Sequence, residues 1–252
     1  MKILVALKQV PSRDSALRLN AAASWIDDAD LTYEINEPDA YALEAALQLK
    51  EQHGGEVVVL CAGPEGAASS VREALAKGAD RAIHIEQDGL EALDTLALSA
   101  LLANVAREES PDLILTGLQS DDLGSGQTGV VMAELMGLPH GTIVMAIEKL
   151  DGAIRVKREL EDGWFQHVAL PLPAVLTIQS GINKLRYATL MGIKKAKTKE
   201  LRVVSGTAPA SQVLCTKVFL PSRAKQTQII EGDARTAAAA LAEKLKFEVR
   251  VI

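Results

Sequence analysis

The sequence predicts a doubly wound α/β fold, and two observations lead to this prediction. Over the first half of the 252 residues, short apolar runs alternate with segments of helical spacing. Such alternation implies right-handed crossovers and a parallel sheet with helices on both faces. In the second half, short strands follow one another across Gly-containing turns, which is typical of antiparallel pairing. We therefore expect a mostly parallel, Rossmann-like sheet with an antiparallel extension and an extended C-terminal arm.

The elements of the first half follow from apolar spacing and from start and stop signals. Asn36 is placed to N-cap a helix whose first turn contains Pro38. Gly63 and Pro64 end a strand, and Gly78 is expected to end the next helix as a left-handed cap. The predicted order is strand 2–8, helix 37–51, strand 56–62, helix 67–77, strand 81–85, helix 91–108, strand 112–116 and helix 129–136.

The sequence of the second half predicts an antiparallel β-meander followed by an irregular segment. Strands are expected at 143–150, 154–160 and 164–170, and Pro171 and Pro173 separate them from a further strand at 174–178. Residues 181–212 contain few apolar residues that could form a core of their own. We therefore expect a loop and an arm that become ordered by packing on a partner surface. A strand at 213–219 and an Ala-rich helix at 233–246 complete the prediction.

Composition excludes several classes of protein. With 48% hydrophobic and 24% charged residues the chain is globular, and its apolar runs are far shorter than the ~20 residues that span a bilayer. No signal peptide is apparent, so we expect no membrane insertion and a reducing location, cytoplasmic or, in a eukaryote, the mitochondrial matrix. Cys61 and Cys215 are isolated and the four His are scattered, so no metal site is expected.

The charge of the chain is unevenly distributed. The net charge is −6, but residues 184–202 hold seven basic residues and one acid, so that segment carries +6 and the remainder −12. This segment could be a nucleic-acid site or a solvated loop. Tyr187 is the one residue of the segment available for base stacking, which weakens the nucleic-acid interpretation. A docking surface for an acidic protein is favoured, because the apolar pair Leu190-Met191 is framed by cations.

The loop 117–129 is the strongest candidate for a ligand site. In an open parallel sheet, ligands bind at the carboxyl ends of the strands, which here are Ala6-Leu7-Lys8, Ala62-Gly63-Pro64 and Gly117 onward. The Gly-rich loop after Gly117 also opens a helix. A plain turn-rich loop is the alternative, because Gly124, Gly126 and Gly129 form only a weak G-x-G-x-x-G match. Asp121 and Asp122 are available to a ribose hydroxyl or to solvent. We find no Walker loop, nucleophile elbow or zinc motif, so no catalytic residue is expected and the pattern indicates binding or carrying rather than catalysis.

Several motifs, in order along essentially the whole chain, resemble one family. They are the run Val156-x-Arg158-x-x-Glu161-Asp162-Gly163-x-x-Gln166-x-Val168, then Pro173-Ala174-Val175-Leu176-Thr177, Arg186-Tyr187-Ala188-Thr189-Leu190 and Ile193-Lys194-Lys195-Ala196-Lys197. This pattern resembles the small (β) subunit of electron transfer flavoproteins, and the opening Lys2-Ile3-Leu4-Val5-Ala6-x-Lys8 and Gly117-x-Gln119 also match.

The resemblance implies a heterodimer with a larger α subunit. One FAD, housed mainly in the α subunit, would receive electrons from acyl-CoA or related flavin dehydrogenases and pass them to an acceptor such as a quinone oxidoreductase. A non-bifurcating β subunit would hold a structural AMP. Carried over by motif, the AMP pocket comprises Ala6, Asn36, Glu37, Pro38, Asp39, Ala62, Gly117, Leu118, Gln119, Ser120, Asp121, Asp122, Leu123, Gly124, Ser125, Gly126, Gln127 and Thr128.

The same resemblance assigns the basic segment to partner recognition. The residues concerned are Tyr187, Leu190, Met191, Ile193, Lys194, Lys195 and Lys197, with Leu190 as the anchor that docks into a dehydrogenase. The implied organisation is a nucleotide-binding domain at 1–183, a recognition loop at 184–202, and a C-terminal arm and helix at 203–252 that pack on the partner subunit.

Two departures and two rival hypotheses accompany the resemblance. Leu185 stands where the family usually has proline, and Arg13 or a neighbour stands where some members place a tyrosine near the flavin.

A bifurcating β subunit would hold a second FAD in place of AMP, but the Gln127-Thr128-Gly129-Val130 sequence differs from the Gln-Val-Gly-Pro of that type. A stand-alone nucleotide enzyme such as an ATP pyrophosphatase would need an S-G-G-x-D-S loop, where this chain has Gln9-Val10-Pro11-Ser12.

Overall fold

The computed structural model describes residues 1–221 and 227–251. The chain divides into two compact units, Met1–Val218 and 219–252. The first unit contains every strand of the described chain, and the second contains helix α6 (Ala234–Glu243), which continues as a π-helical turn, Lys244–Val249. Within the described ranges, no helix is long and apolar enough to cross a membrane.

A nine-stranded sheet forms the centre of the first unit. Its strands are β1 (Lys2–Leu7), β4 (Glu56–Gly63), β5 (Arg81–Glu86), β6 (Leu113–Gly117), β7 (His140–Lys149), β8 (Ala153–Glu159), β9 (Phe165–Pro171), β10 (Ala174–Ile178) and β11 (Leu201–Val204), while β2 (Gln9–Pro11) and β3 (Tyr33–Ile35) form a separate two-stranded sheet. The order in the large sheet is β11-β5-β4-β1-β6-β10-β7-β8-β9, with parallel pairing from β11 to β7 and antiparallel pairing across β7, β8 and β9. This confirms the predicted fold class, including the antiparallel extension.

Helices cover both faces of the sheet because alternate strand residues face two different cores. The helices are α1 (Glu37–His53), α2 (Ala68–Lys77), α3 (Thr95–Glu109), α4 (Thr128–Met136) and α5 (Leu190–Ala196). Along β1, Ile3, Val5 and Leu7 join one core with α1 and α2, whereas Leu4 joins the other with α3 and α4. A parallel sheet buried on both faces requires strands that are apolar at nearly every position, as these are.

The C-terminal part of the first unit differs from the prediction. Residues 190–196 and 201–204 were expected to be irregular, but they form helix α5 and edge strand β11. The strand predicted at 213–219 is wrong: that segment has no regular structure, and Val213 and Phe219 are exposed. Helix α3 begins at Thr95 rather than near residue 91, because the Asp94 carboxylate accepts a hydrogen bond from the Ala97 amide (2.8 Å) and so caps the helix there.

Candidate functional site

The best-formed cavity lies where the winding of the sheet reverses. Strands β1 and β6 are neighbours, but the chain continues from β1 towards β4 and from β6 towards β10 and β7 on the other side. Such a switch point leaves a crevice at the carboxyl ends of the strands, which is where open α/β sheets bind ligands. A cavity of about 120 Å³ occupies this crevice.

The cavity gathers most of the residues expected to bind the nucleotide. Those that line it are Ala6, Asn36, Asp39, Ala62, Gly117, Leu118, Gln119, Ser120, Leu123, Ser125, Gly126, Gln127 and Thr128. The remaining predicted residues, Glu37, Pro38, Asp121, Asp122 and Gly124, do not line it. Leu7 and Lys8, which belong to one of the predicted strand ends, also line the cavity. Sequence reasoning missed Thr116 and one whole wall, which comes from the start of α3 and consists of Leu93, Asp94, Thr95, Leu98 and Leu102. The N-cap residue Asp94 was the signal that could have located that wall.

The N-terminus of α4 opens into the cavity without a protein cap. Gln127 occupies the N-cap position and makes no side-chain capping bond, and within the described chain the amides of the first turn, from Thr128 onward, have no acceptor. Gly129 lets this end of the helix approach the sheet, since a Cβ there would lie 2.5 Å from Thr116 Oγ1. Free amides and the positive end of the helix dipole favour an anionic group at this point.

Asn36 ties the loop 117–128 to the start of α1. The residue does precede the helix as predicted, but its side chain makes no capping bond. Instead Asn36 Nδ2 donates to the carbonyl of Gln119 and Asn36 Oδ1 accepts from the amide of Asp121, both at 2.9 Å. The residue is buried, so these two bonds replace the water that the loop backbone would otherwise bind. The loop is therefore fixed before any ligand arrives.

Two ion pairs hold the acidic part of the same loop. Lys8 Nζ lies 2.6 Å from Asp122 Oδ2, and Arg13 Nη2 lies 3.1 Å from Asp121 Oδ2 and also contacts Glu37. Burial raises the pKa of Asp122, but the hydrogen bonds from Lys8 and Ser120 outweigh it, so the pKa lies below its ordinary value. Neither aspartate is a free surface charge, and Arg13 serves to anchor this loop.

Asp39 joins the ends of the two strands that flank the crevice. Its Oδ2 accepts from the amide of Lys8, directly after β1, and its Oδ1 accepts from the amide of Gly117, the last residue of β6, both at 2.8 Å. Burial raises the pKa of the Asp39 carboxyl to about 7, although the two amides and the Lys8 charge favour ionisation. A Cβ on residue 117 would lie 2.4 Å from Asp39 Oδ1, so only glycine fits there.

The wall formed by α3 is tied to the end of the first unit. Besides capping α3, the Asp94 carboxylate accepts hydrogen bonds from the amides of Gln212 (2.5 Å) and Val213 (3.0 Å). Ser211 donates to the carbonyl of Ala92 at 3.1 Å and accepts from the Asp94 amide at 3.0 Å. The segment after β11 is thus fastened to one wall of the cavity.

The residues predicted to recognise a partner lie on or beside a short helix at the surface. Thr189 caps α5 by accepting from the Gly192 amide (3.0 Å), and Gly192 packs so closely on α2 that a Cβ would lie 2.3 Å from the carbonyl of Ala76. Leu190 and Met191, at the start of the helix, are 82% and 67% exposed, and Tyr187 is exposed as well. The apolar pair is therefore presented on a turn of helix that packs on α2, whereas a loop was expected.

Three of the seven cations of segment 184–202 serve the fold of the chain. Arg186 pairs with Glu44 and Glu51 at 2.6 Å each, Arg202 pairs with Glu109 at 2.8 Å, and Lys199 donates to carbonyls at the end of α2. The other four are exposed and form no ion pair within the described chain: Lys184, Lys194, Lys195 and Lys197. Leu185, in place of the usual proline, packs half-buried against the core.

Comparison with known proteins identifies the family. Residues 24–209 match the electron transfer flavoprotein domain. The electron transfer flavoprotein subunit beta of Methylophilus methylotrophus is 37% identical over 246 residues, which are 92% of this chain and 93% of that protein. The corresponding subunit of Syntrophomonas wolfei is 36% identical over all of this chain and 98% of its own length, and that of Mus musculus is 35% identical over 81% of both chains. A match of this extent, on the predicted fold, shows that the chain belongs to the small (β) subunit family of the electron transfer flavoproteins.

Proposed function

We propose that this chain is the β subunit of a heterodimeric electron transfer flavoprotein and that its cavity holds a structural AMP. With its α subunit it supports one FAD, which accepts electrons from flavin dehydrogenases of the acyl-CoA or a related type and delivers them to an acceptor such as a quinone oxidoreductase. FAD supplies one- and two-electron chemistry when bound. The part of this chain is to bind a nucleotide, to hold the partner subunit through the arm 203–252 and to present a docking surface.

The observation that carries the proposal is the uncapped N-terminus of α4 inside the crevice. The amides that follow Gln127, together with the hydroxyls of Ser125 and Thr128, provide donors for a phosphate. Lys8 also lines the cavity, and its ammonium is held there by Asp122. The apolar wall Leu93, Leu98 and Leu102 offers a surface for a flat base opposite that polar end.

The lining of the cavity favours a mononucleotide over a second FAD. Among the described residues that line the cavity none is aromatic, so no ring is available here to stack on an isoalloxazine. This supports the AMP-binding type over the bifurcating type.

The docking surface is proposed to be α5 with its flanking residues. Leu190 and Met191 supply an exposed apolar anchor, and Lys194, Lys195 and Lys197 supply a cationic rim. This arrangement suits a partner with an apolar pocket surrounded by carboxylates, in which the apolar contact stabilises the complex and the charges accelerate encounter.

The test is to identify the nucleotide held by each form of the protein. The chain is produced alone and together with its α subunit, denatured with acid, and the released nucleotides are weighed. We expect AMP from the isolated chain, and AMP with FAD from the heterodimer. FAD from the isolated chain would overturn the AMP assignment, and the release of no nucleotide from either form would overturn the nucleotide site itself.

A pair of glycine variants connects the nucleotide to this cavity. Gly129→Ala places a Cβ 2.5 Å from Thr116 Oγ1 and pushes the start of α4 off the sheet, so the purified heterodimer should lose AMP. Gly66→Ala is the matched control, because its Cβ meets no atom within 4 Å. Equal AMP content in the two variants would place the nucleotide elsewhere. Hydrolysis of a nucleotide by the chain alone would instead favour an enzyme.

A further inference from the structure

Asp39 has a role that is separate from contact with a ligand. Its carboxylate lies across the crevice between β1 and β6 and accepts one amide from each side, from Lys8 and from Gly117, at 2.8 Å. Gly117 begins the loop that leads to α4, and Lys8 follows the strand whose end forms the opposite side of the crevice. One side chain therefore sets the spacing of the two sides of the crevice.

The partners of Asp39 are complementary only to a carboxylate. Both are N–H donors, so each oxygen must accept, which an ionised carboxylate does and an amide side chain does not. An Asn in this place would point its own N–H₂ at one backbone N–H and leave that buried donor unpaired, which is costly. The missing Cβ of Gly117 provides the space in which Asp39 Oδ1 sits, so the two residues are matched in shape as well.

Few charged groups face this carboxylate. Lys8, after β1, is the cation that acts on it, and the Lys8 ammonium is itself held by Asp122 of the loop. Burial raises the pKa of the Cys61 thiol, on β4, to about 12, and the nearby Asp39 charge adds to this effect. The thiol therefore stays neutral. The side chain of Asn36 also favours the ionised form of Asp39 and carries no charge. Protonation of Asp39 would thus remove the single negative charge that bridges the two strand ends.

We propose that Asp39 is the positioning residue of the nucleotide pocket: its ionised carboxylate clamps the amides of Lys8 and Gly117 across the crevice, so that the loop 117–128 is already in the conformation that binds AMP. This inference rests on the proposed function, because it assumes that the pocket takes AMP. A pocket that is ordered in advance binds more tightly, since binding need not order the loop. Loss of the clamp should therefore lower the affinity for AMP, and the affinity of the unmodified protein should depend on pH.

The experiment measures AMP affinity of the nucleotide-stripped heterodimer by calorimetry, from pH 6 to pH 8. Asp39→Asn should bind AMP at least about tenfold more weakly than the unmodified protein at pH 8, a factor equivalent to about 1.4 kcal/mol. Burial places the pKa of Asp39 at about 7, so the advantage of the unmodified protein over the variant should shrink as the pH falls below 7 and the carboxyl takes up a proton. AMP's own phosphate titrates near pH 6 in both proteins, so the ratio of the two affinities reports Asp39 alone.

Controls separate the clamp from folding and from the nucleotide assignment. Asp151→Asn, at an exposed turn, is the matched carboxylate-to-amide change and should leave the affinity unchanged. If Asp39→Asn does not fold, adenosine, which does not titrate in this range, is measured on the unmodified protein, and its affinity should fall from pH 8 to pH 6 while the circular dichroism stays constant. A constant ratio across the pH range, a constant adenosine affinity, or an Asp39→Asn protein that binds AMP as tightly as the unmodified one would overturn the clamp. An unmodified protein that binds no AMP at any pH would instead overturn the proposed function.

Discussion

Replacing Asn36 by alanine should destabilise the chain and weaken its nucleotide site together. The change removes two hydrogen bonds that fix the loop, the one donated to the Gln119 carbonyl and the one accepted from the Asp121 amide, both 2.9 Å long. Asn36 is only 1% exposed, so water does not readily replace it. No other side chain of the α1 N-terminus makes these two contacts in the described structure.

The expected size follows from those contacts. Two hydrogen bonds contribute about 1 kcal/mol each, and leaving the partly buried carbonyl and amide without these partners adds up to a similar amount. The free energy of unfolding should therefore fall by about 2 to 4 kcal/mol. With a urea slope of about 3 kcal/mol per molar, as expected for a chain of this size, the midpoint should move down by about 1 M. Asn36→Asp retains the acceptor and loses the donor, so its effect should be intermediate.

The assay is urea unfolding followed by far-UV circular dichroism and by the fluorescence of Trp25 and Trp164. Asn104→Ala, at an exposed position of α3, is the matched control and should change the free energy of unfolding by less than about 0.5 kcal/mol. A change of that small size for Asn36→Ala would refute the reasoning, because it would mean that Asn36 does not hold the loop in solution.

Three further outcomes are expected. Leu190→Ala removes much of the proposed apolar anchor, whose burial in a complex would contribute about 2 kcal/mol. Electron transfer from the cognate dehydrogenase at low protein concentration should therefore slow by about tenfold or more while flavin content is unchanged. Equal rates would contradict the anchor role. Raising the salt concentration should lower the association rate with that dehydrogenase, because Lys194, Lys195 and Lys197 are exposed and unpaired in the described chain, and a rate independent of salt would contradict steering. A thiol reagent at pH 8 should label Cys215, which is exposed, and leave Cys61 unlabelled until the chain unfolds, because burial raises the pKa of the Cys61 thiol to about 12; labelling of both in the native protein would disprove this.

The sheet and its helices were predictable from sequence because their signals are local. The buried strands are continuous apolar runs, and the glycine at 78 ends α2 with a positive φ of 137°, as expected of that residue type. Helix α5 and strand β11 were not predictable in this way. A seven-residue helix is marginal alone, and α5 is stabilised by packing on α2, while β11 exists because β5 offers it an edge.

The candidate site was predictable only in part, for a related reason. The loop 117–128 carries turn residues that can be recognised in sequence, and the strand ends at Ala6 and Ala62 follow from the topology of a parallel sheet. The resemblance to a family added residues 36–39 to the site. The wall formed by α3 comes from a segment brought to the crevice by a crossover, so its distance along the chain hid it. The function of Asn36 was also misjudged, because its side chain bonds to residues more than eighty positions away instead of capping its own helix.

The close packing of α5 on α2 has a consequence for the kinetics of the proposed docking. Gly192 brings the helix into contact with the backbone of Ala76, Arg186 fastens the chain before it, and β11 extends the central sheet directly after it. Leu190 is thus carried on a surface that is ordered before any partner arrives, and association loses little conformational entropy on this side. Any slow rearrangement seen during an encounter should then belong to the partner protein or to the second unit, and a docking peptide cut from 184–202 alone should bind far more weakly than the folded chain.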